Sequence, residues 1–285
     1  MGTTKRMVTL AETVLRRYER LSLYNSPYPA HDFGHAIDLY SGSDTDAAIS
    51  PVSGTVRSIE TVRCPRRPYA AVKDHVLLIE CGSYVARLLH VSPTVEVGEQ
   101  VDIGDPLGTV IRSGFFAQWV DNHIHLGFRR PEQNLTRASG SLRIDIDVPV
   151  TGIGWDGQGT VVETGPTHIR LDSPSNSGSE FAALASDAGV PLDGGLIHYN
   201  GGGTLKPTVG DVSLLGTAIG TSDGRNLSWN NVAVYANGRR ASGLSLFVSQ
   251  GTLGTKLLFH DGHDISVGET VDVMIEPTAD PIRLG

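Results

Sequence analysis

Five side chains suited to holding a metal and moving protons beside it occur in order along the first half of the chain. They are His31, Asp38, His90, His123 and His125, in the strings HDFGHAIDLY (31–40), ARLLHV (86–91) and HIHLGF (123–128). Zinc favours imidazole and carboxylate ligands, and a catalytic zinc site keeps three protein ligands with a fourth position open for water. Two His and one Asp on the metal would leave two His for proton transfer, the composition of a hydrolytic centre. His123 and His125 are two apart in an extended segment, so both point to one face of a strand. Asp38 lies between Ile37 and Leu39. A buried, unpaired carboxylate there would cost several kcal/mol, so burial calls for a metal or a cation. A solvent-facing Asp in an alternating strand is the other reading. His90 follows Leu88 and Leu89. A lone His beside leucines is more often a hydrogen-bonded core residue, and its place in the series is what raises its standing.

The elements that must position these residues are mainly strands. Thr9-x-x-Glu12 is a capping-box pattern, and Leu10, Val14, Leu15, Tyr18 and Leu21 follow at helical spacing, which predicts an opening helix of about three turns. Asn25-Ser-Pro-Tyr-Pro29 ends it. His35–Tyr40, Thr55–Val62, His75–Glu80, Tyr84–Val91 and His123–Phe128 read as strands. VGEQVDIGDPLGTV (97–110) spaces Gly98, Gly104 and Gly108 by six and four. TVGDVSLLGTAIG (208–220) repeats those offsets, and VGETVDV (267–273) nearly copies VGEQVDI (97–103). Short strands joined by glycine turns predict a folded-over β-sandwich or barrel. The echoes predict a second β domain of related hairpin construction. The expected division is an N-terminal helical segment over 1–27, a first β domain over 28–135, a turn-rich linker at Pro131–Ser141, and a C-terminal β domain over 150–285.

From about Ala30 to Phe128 the chain resembles the lysostaphin-type zinc endopeptidases, which cut peptide cross-bridges in bacterial cell walls. The shared order is a His/Asp motif, a small-residue turn before Gly-x-Val (Pro51-Val-Ser-Gly54-Thr-Val56), a strand ending in His90, a glycine hairpin, Ser113-Gly114, and finally HIH. The resemblance implies zinc on Asp38 and His125, together with a His before the Asp, and His90 and His123 as the assisting pair. The first motif of that family is HxGxD, whereas this chain reads HxxGxAxD. That signature belongs to the related D-alanyl-D-alanine carboxypeptidases and hedgehog domains, and it puts His31 on the metal. His35, three before Asp38, is the competing ligand and needs a bulge to face the same way. The Tyr usual in the family two residues before the assisting His is Leu88 here.

These expectations define a Zn²⁺-dependent peptidase acting on a peptide or peptidoglycan-like substrate, with activity falling in acid because protonated imidazoles cannot ligate metal. The C-terminal domain would bind substrate or narrow the cleft. The competing reading is a non-catalytic metal-binding or scaffold module that keeps the β framework. A lysine-borne swinging-arm carrier shares the hairpin architecture, but no lysine occurs between Lys73 and Lys206. A net charge of -8 without a basic run disfavours nucleic acid. No apolar stretch approaches the roughly 20 residues of a membrane span, and the N-terminus lacks a signal-peptide core, so the protein as encoded is expected in the cytoplasm. Cys64 and Cys81, with no CxxC spacing, read as two buried free thiols, with a disulfide between them as the alternative. His75, His168, His198, His260 and His263 carry no functional reading, and His260-Asp-Gly-His263 reads as a polar turn capping a hairpin.

Overall fold

The computed structural model describes residues 7–42, 45–176 and 178–285. It is mainly β, with 51% strand against 3% helix, and has a curled half-barrel sheet and further sheets in two domains. The chain forms two compact units. One comprises the chain up to Leu21 with Gly34–Val148, and the other Ser22–Phe33 with Pro149–Gly285.

In the first unit, an antiparallel run places Ile37–Tyr40, Ile124–Arg129, Tyr84–Leu89, Lys73–Cys81, Gly54–Arg63 and Gln100–Val101 side by side in that order. The tight turn at Gly82–Ser83 joins Cys81 to Tyr84, and φ is +63° at Gly82, where a residue without Cβ is not strained. A smaller sheet orders Ala47–Ile49, Pro106–Val110 and Val91–Pro93. Each expected strand is present, with ends moved by two residues or fewer, except at His90. There the chain adopts φ +69° and the strand breaks into Tyr84–Leu89 and Val91–Pro93.

The opening helix is shorter than its apolar spacing predicts. It spans Glu12–Leu15, one turn, and its N-cap is Ala11 with no side-chain cap bond. Thr9 belongs instead to strand Val8–Ala11, which pairs in parallel with Ile144–Asp147. A partner so distant in sequence leaves no local signature, and its ladder outcompetes the capping box. The Pro131–Ser141 segment is held against the first unit: Arg129 donates to the carbonyls of Asn134 (3.1 Å) and Arg137 (2.7 Å), and Leu142 N donates to Phe128 O (2.8 Å).

In the second unit a ten-stranded sheet runs from Thr217–Trp229 through Gly201–Leu214, Leu192–Leu196, Gly243–Leu246, Thr255–Leu258, His168–Leu171, Gln158–Gly165, Thr270–Pro277 and Val232–Ala236 to Arg239–Ala241. Its core includes Ile169, Leu171, Leu196, Leu244, Leu257 and Val271. The near-copied heptapeptides fold alike. Gly98 N donates to Val56 O and Gly268 N to Val161 O, both at 2.8 Å, while Val56 N and Val161 N return bonds to Glu99 O and Glu269 O, both at 2.9 Å. Each Glu also caps its own turn: Glu99 accepts from Glu96 N, and Glu269 from Ser266 N. The glycine spacing of 208–220 has a different basis. Gly210 lies inside a long strand, and only Leu215-Gly216 makes the turn.

Candidate functional site

The register of three strands places Asp38 opposite His125 and His125 opposite Leu89, so the Asp and His side chains share one face. Asp38 is buried at 3% exposure, which excludes the solvent-facing reading. Its Oδ1 lies 3.0 Å from His125 Nδ1 and 3.4 Å from His123 Nε2. His123 Nδ1 donates to the carbonyl of Asp121 at 2.9 Å, which turns Nε2 toward the carboxylate.

His90 is fixed from behind. Its backbone N–H donates to Asp74 Oδ1 (2.9 Å) and its Nδ1–H to Asp74 Oδ2 (2.6 Å), while Oδ2 also accepts from Ser113 Oγ (2.6 Å) and Oδ1 from His75 N (2.7 Å). Burial works to raise the Asp74 carboxyl, but the bonds and charge of His90, with Ser113 and His75, outweigh it and hold the group below the usual carboxylate range. The left-handed backbone at His90 costs about 1–2 kcal/mol for a residue with a Cβ. Two bonds to one carboxylate hold it there. With Nδ1 committed to Asp74, His90 presents Nε2 on the other side of its ring.

The His90 and His123 rings meet edge-on with centroids 5.3 Å apart, and the His125 ring lies 6.0 Å from His90. Phe116 packs against both His90 and His123 at 4.5 Å, and Tyr40 lies 4.9 Å from His123. The loop carrying Phe116 is pinned by Arg112, whose guanidinium donates to the carbonyls of Ala117, Gln118 and Val120, and by Tyr69 Oη to Phe116 O. Arg20 pairs with Asp121 at 2.6 Å and covers the Tyr40 ring. Four of the five residues picked out in the sequence therefore meet on one wall of apolar rings.

His31 is the fifth. It is buried, and its Nδ1 lies 3.0 Å from Leu23 O, which leaves Nε2 as the ligating atom. His31, Asp38 and His125 are all buried, and each offers one atom of a kind that could hold a metal ion. His35 is not in that group. Between His31 and Asp38 the chain passes through φ of +59° at Phe33 and +70° at Gly34.

Residues 9–146 match the family model described as domain of unknown function (DUF8155), N-terminal domain, and residues 151–276 match its C-terminal domain. The chain belongs to the DUF8155 family. No curated protein and no solved structure matches the chain. The two DUF8155 models meet between residues 146 and 151, which brackets the passage from Val148 to Pro149 between the units.

Sequence reasoning missed Asp74, Phe116 and Arg112, and noted Ser113 only as part of a motif. A signal for Asp74 did exist. The hairpin closed at Cys81–Tyr84 pairs Val76 with Leu89, so continuing the register brings Asp74 beside His90. In the second unit, His263 Nε2 lies 2.8 Å from Gly165 O at the end of a hairpin, and His260 Nδ1 lies 2.7 Å from Ser242 Oγ. Both cysteines are free, Cys64 buried and Cys81 half-buried. Among the described residues no helix is long and apolar enough to cross a membrane.

Proposed function

We propose that this DUF8155 protein is a zinc-dependent hydrolase of peptide or amide bonds, with zinc held by His31, Asp38 and His125 and with His90 and His123 as its proton-transfer pair. The observation that carries the reading is the arrangement around Asp38. One buried carboxylate oxygen faces two imidazole nitrogens at 3.0 and 3.4 Å, and a third imidazole, oriented by its own carboxylate, stands beside them. Two ligands of a tetrahedral zinc, each about 2.0–2.1 Å from the ion, lie roughly 3.3 Å apart, close to the Asp38–His125 spacing. A carboxylate with two imidazoles is a hydrolytic donor set and leaves a coordination position for water.

Zinc in such a set would supply a Lewis acid that polarises a carbonyl and lowers the pKa of water to near 7. The remaining tasks fall to the chain itself. His90 Nε2 can take a proton because Asp74 fixes the tautomer and stabilises the imidazolium that results. His123, with Nδ1–H given to Asp121 O, offers Nε2 as a second site for a proton or as a donor to a developing oxyanion. Phe116 and Tyr40 exclude water from this side and strengthen the electrostatics between the rings.

Metal analysis and a peptide assay together test the proposal. Purified protein should carry close to one zinc per chain, lost in His125→Ala and Asp38→Ala and kept in His90→Ala. A glycine-rich peptide should be cut by the wild type, and at least a hundredfold more slowly by His90→Ala or His123→Ala with zinc retained. Zinc bound without hydrolysis would leave the non-catalytic module, and no zinc at all would end the metal reading.

A further inference from the structure

The two proton-transfer histidines are oriented by different acceptors. His90 gives its Nδ1–H to a carboxylate, that of Asp74, whereas His123 gives its Nδ1–H to a backbone carbonyl, that of Asp121 at 2.9 Å. A bond to a carboxylate is charge-assisted, and a bond to a carbonyl is weaker. A neutral imidazole can carry its proton on either nitrogen, and the bond made by one nitrogen decides the state of the other. Whether His123 keeps Nε2 open toward Asp38 therefore depends on how firmly its ring and that carbonyl are held.

Arg20 reaches both of these supports. Its Nη2 lies 2.6 Å from Asp121 Oδ2, and its guanidinium carbon stands 4.2 Å over the centre of the Tyr40 ring. Tyr40 in turn lies 4.9 Å from the His123 ring, tilted by 48°. The carboxylate that Arg20 grips and the carbonyl that receives His123 belong to the same residue. Strand Arg20–Ser22 lies beside Ile37–Tyr40, and Glu19 N donates to Tyr40 O at 3.0 Å, so Arg20 enters from regular backbone.

Exposed ion pairs contribute little, because water competes and two long side chains must be ordered. Arg20 is placed differently. Its side chain is only 18% exposed, and an arginine fork can pair with a carboxylate while its flat face lies on an aromatic ring. Burial works to lower the Arg20 pKa, but Asp121 and then Tyr40 outweigh it, so the guanidinium stays charged. The neighbouring chain is held by other means. Phe116 packs on His123 at 4.5 Å, and Arg112 donates to the carbonyls of Ala117, Gln118 and Val120. Those bonds end at Val120, one residue before the carbonyl that receives His123.

We propose that Arg20 is a positioning residue for the reaction: by pairing with Asp121 and stacking on Tyr40 it locks His123 in the Nδ1–H form, with Nε2 turned to the centre. This rests on the proposed role of His123, but the lock itself is a property of the ring and can be measured without substrate. Removing Arg20 loosens both supports at once. A misplacement of about 1 Å at a reacting centre can cost roughly a hundredfold in rate, so a partial loosening is expected to lower kcat by at least tenfold.

Nitrogen-15 NMR of the histidine rings in the full-length protein, with His123 assigned through His123→Gln, is combined with the peptide assay. At about pH 8 an ordinary imidazole, of pKa about 6.5, is neutral. Wild-type His123 should then show the Nδ1–H form alone. Arg20→Met should show a mixture containing the Nε2–H form, with kcat at least tenfold lower, KM within twofold and zinc retained. Arg20→Lys keeps the charge without the fork and should recover part of both effects. A His123 signal identical in wild type and Arg20→Met overturns the proposal, as does a wild-type ring that is already mixed. Should Arg20→Met fail to fold, Asp121→Ala removes the carboxylate and keeps the carbonyl; a mixed ring is expected, and a ring still locked counts as refutation. A wild type that cuts no peptide overturns the proposed function instead, and the His123 signal alone then decides on Arg20.

Discussion

Asp74 ties His90 to Ser113 and His75, because its two oxygens accept four bonds and two of them come from His90. Its carboxyl is held below the usual range, so the stability it contributes is present above the unfolded carboxyl pKa of about 4 and is lost as pH falls through the lower folded value. Asp74→Asn is expected to cost about 2–3 kcal/mol at pH 7, since bonds to a buried charged acceptor are weakened. In urea unfolding, the gap between variant and wild type should narrow steadily below pH 4. A gap that stays constant with pH would mean that the carboxylate is not ionised in the folded protein. Side-chain types and their order were enough to pick out Asp38, His90, His123 and His125 from the sequence. Asp74 escaped because its role comes from hairpin register, and a carboxylate beside a surface-facing Lys73 reads as solvated. The choice between His31 and His35 is a matter of backbone geometry at Phe33-Gly34, where two consecutive φ angles are positive.

At the level of elements, glycines set the turns that bring the strands into register, and they do so for different physical reasons. Gly98 and Gly268 occupy matching turns with φ of +92° and +90° and open space where a Cβ would go. Gly108 has φ +142°, and its Cβ would lie 2.0 Å from the carbonyl oxygen of Ser92 in the neighbouring strand. Alanine at Gly98 or Gly268 therefore adds backbone strain alone, about 1–2 kcal/mol, whereas alanine at Gly108 must also push two strands apart, at roughly 3–5 kcal/mol in all. Thermal or urea unfolding of the three variants checks the ranking, and a Gly108→Ala as mild as Gly98→Ala would overturn the close-approach argument. Strands were legible because alternation and turn residues are local signals. The heptapeptide VGEQVDI and its near-copy were legible for the same reason, since the glycine and the capping glutamate lie within one turn. The spacing of Gly210, Gly216 and Gly220 does mark a hairpin, but only Gly216 makes its turn, because the other two lie within the strands. The helix at Glu12–Leu15 stopped short because a parallel partner more than a hundred residues away claimed Thr9.

On the scale of the whole molecule, the division into units does not follow the order of the chain. Ser22–Phe33 is grouped with Pro149–Gly285 although Gly34 and the residues after it belong to the first unit. Buried Asp193 shows how that segment is fastened. Its carboxylate accepts from Ser22 Oγ and Leu23 N at 2.6 Å and from Tyr24 N at 3.1 Å. Asn25 Nδ2 donates to Ser245 Oγ, and the Tyr24 ring lies where a Cβ of Gly203 would otherwise stand. Composition could not reveal this, since the donors and Asp193 are about 170 positions apart and a lone Asp before Gly194 reads as a turn residue. Because Leu23 O in turn meets His31 Nδ1, the fastening also sets the direction of a proposed metal ligand. Native-state hydrogen exchange on the full chain tests the assignment. In mild denaturant the amides of Leu23 and Tyr24 should open together with those of Pro149–Gly285, not with Gly34–Val148. Asp193→Ala should accelerate exchange at Leu23 and Tyr24 by at least tenfold, since both buried amides lose their acceptor, at a cost of about 1–3 kcal/mol each. If those two amides instead follow the protection of Ile37–Tyr40 and ignore the Asp193 substitution, the segment belongs to the first unit and Asp193 has no part in orienting His31.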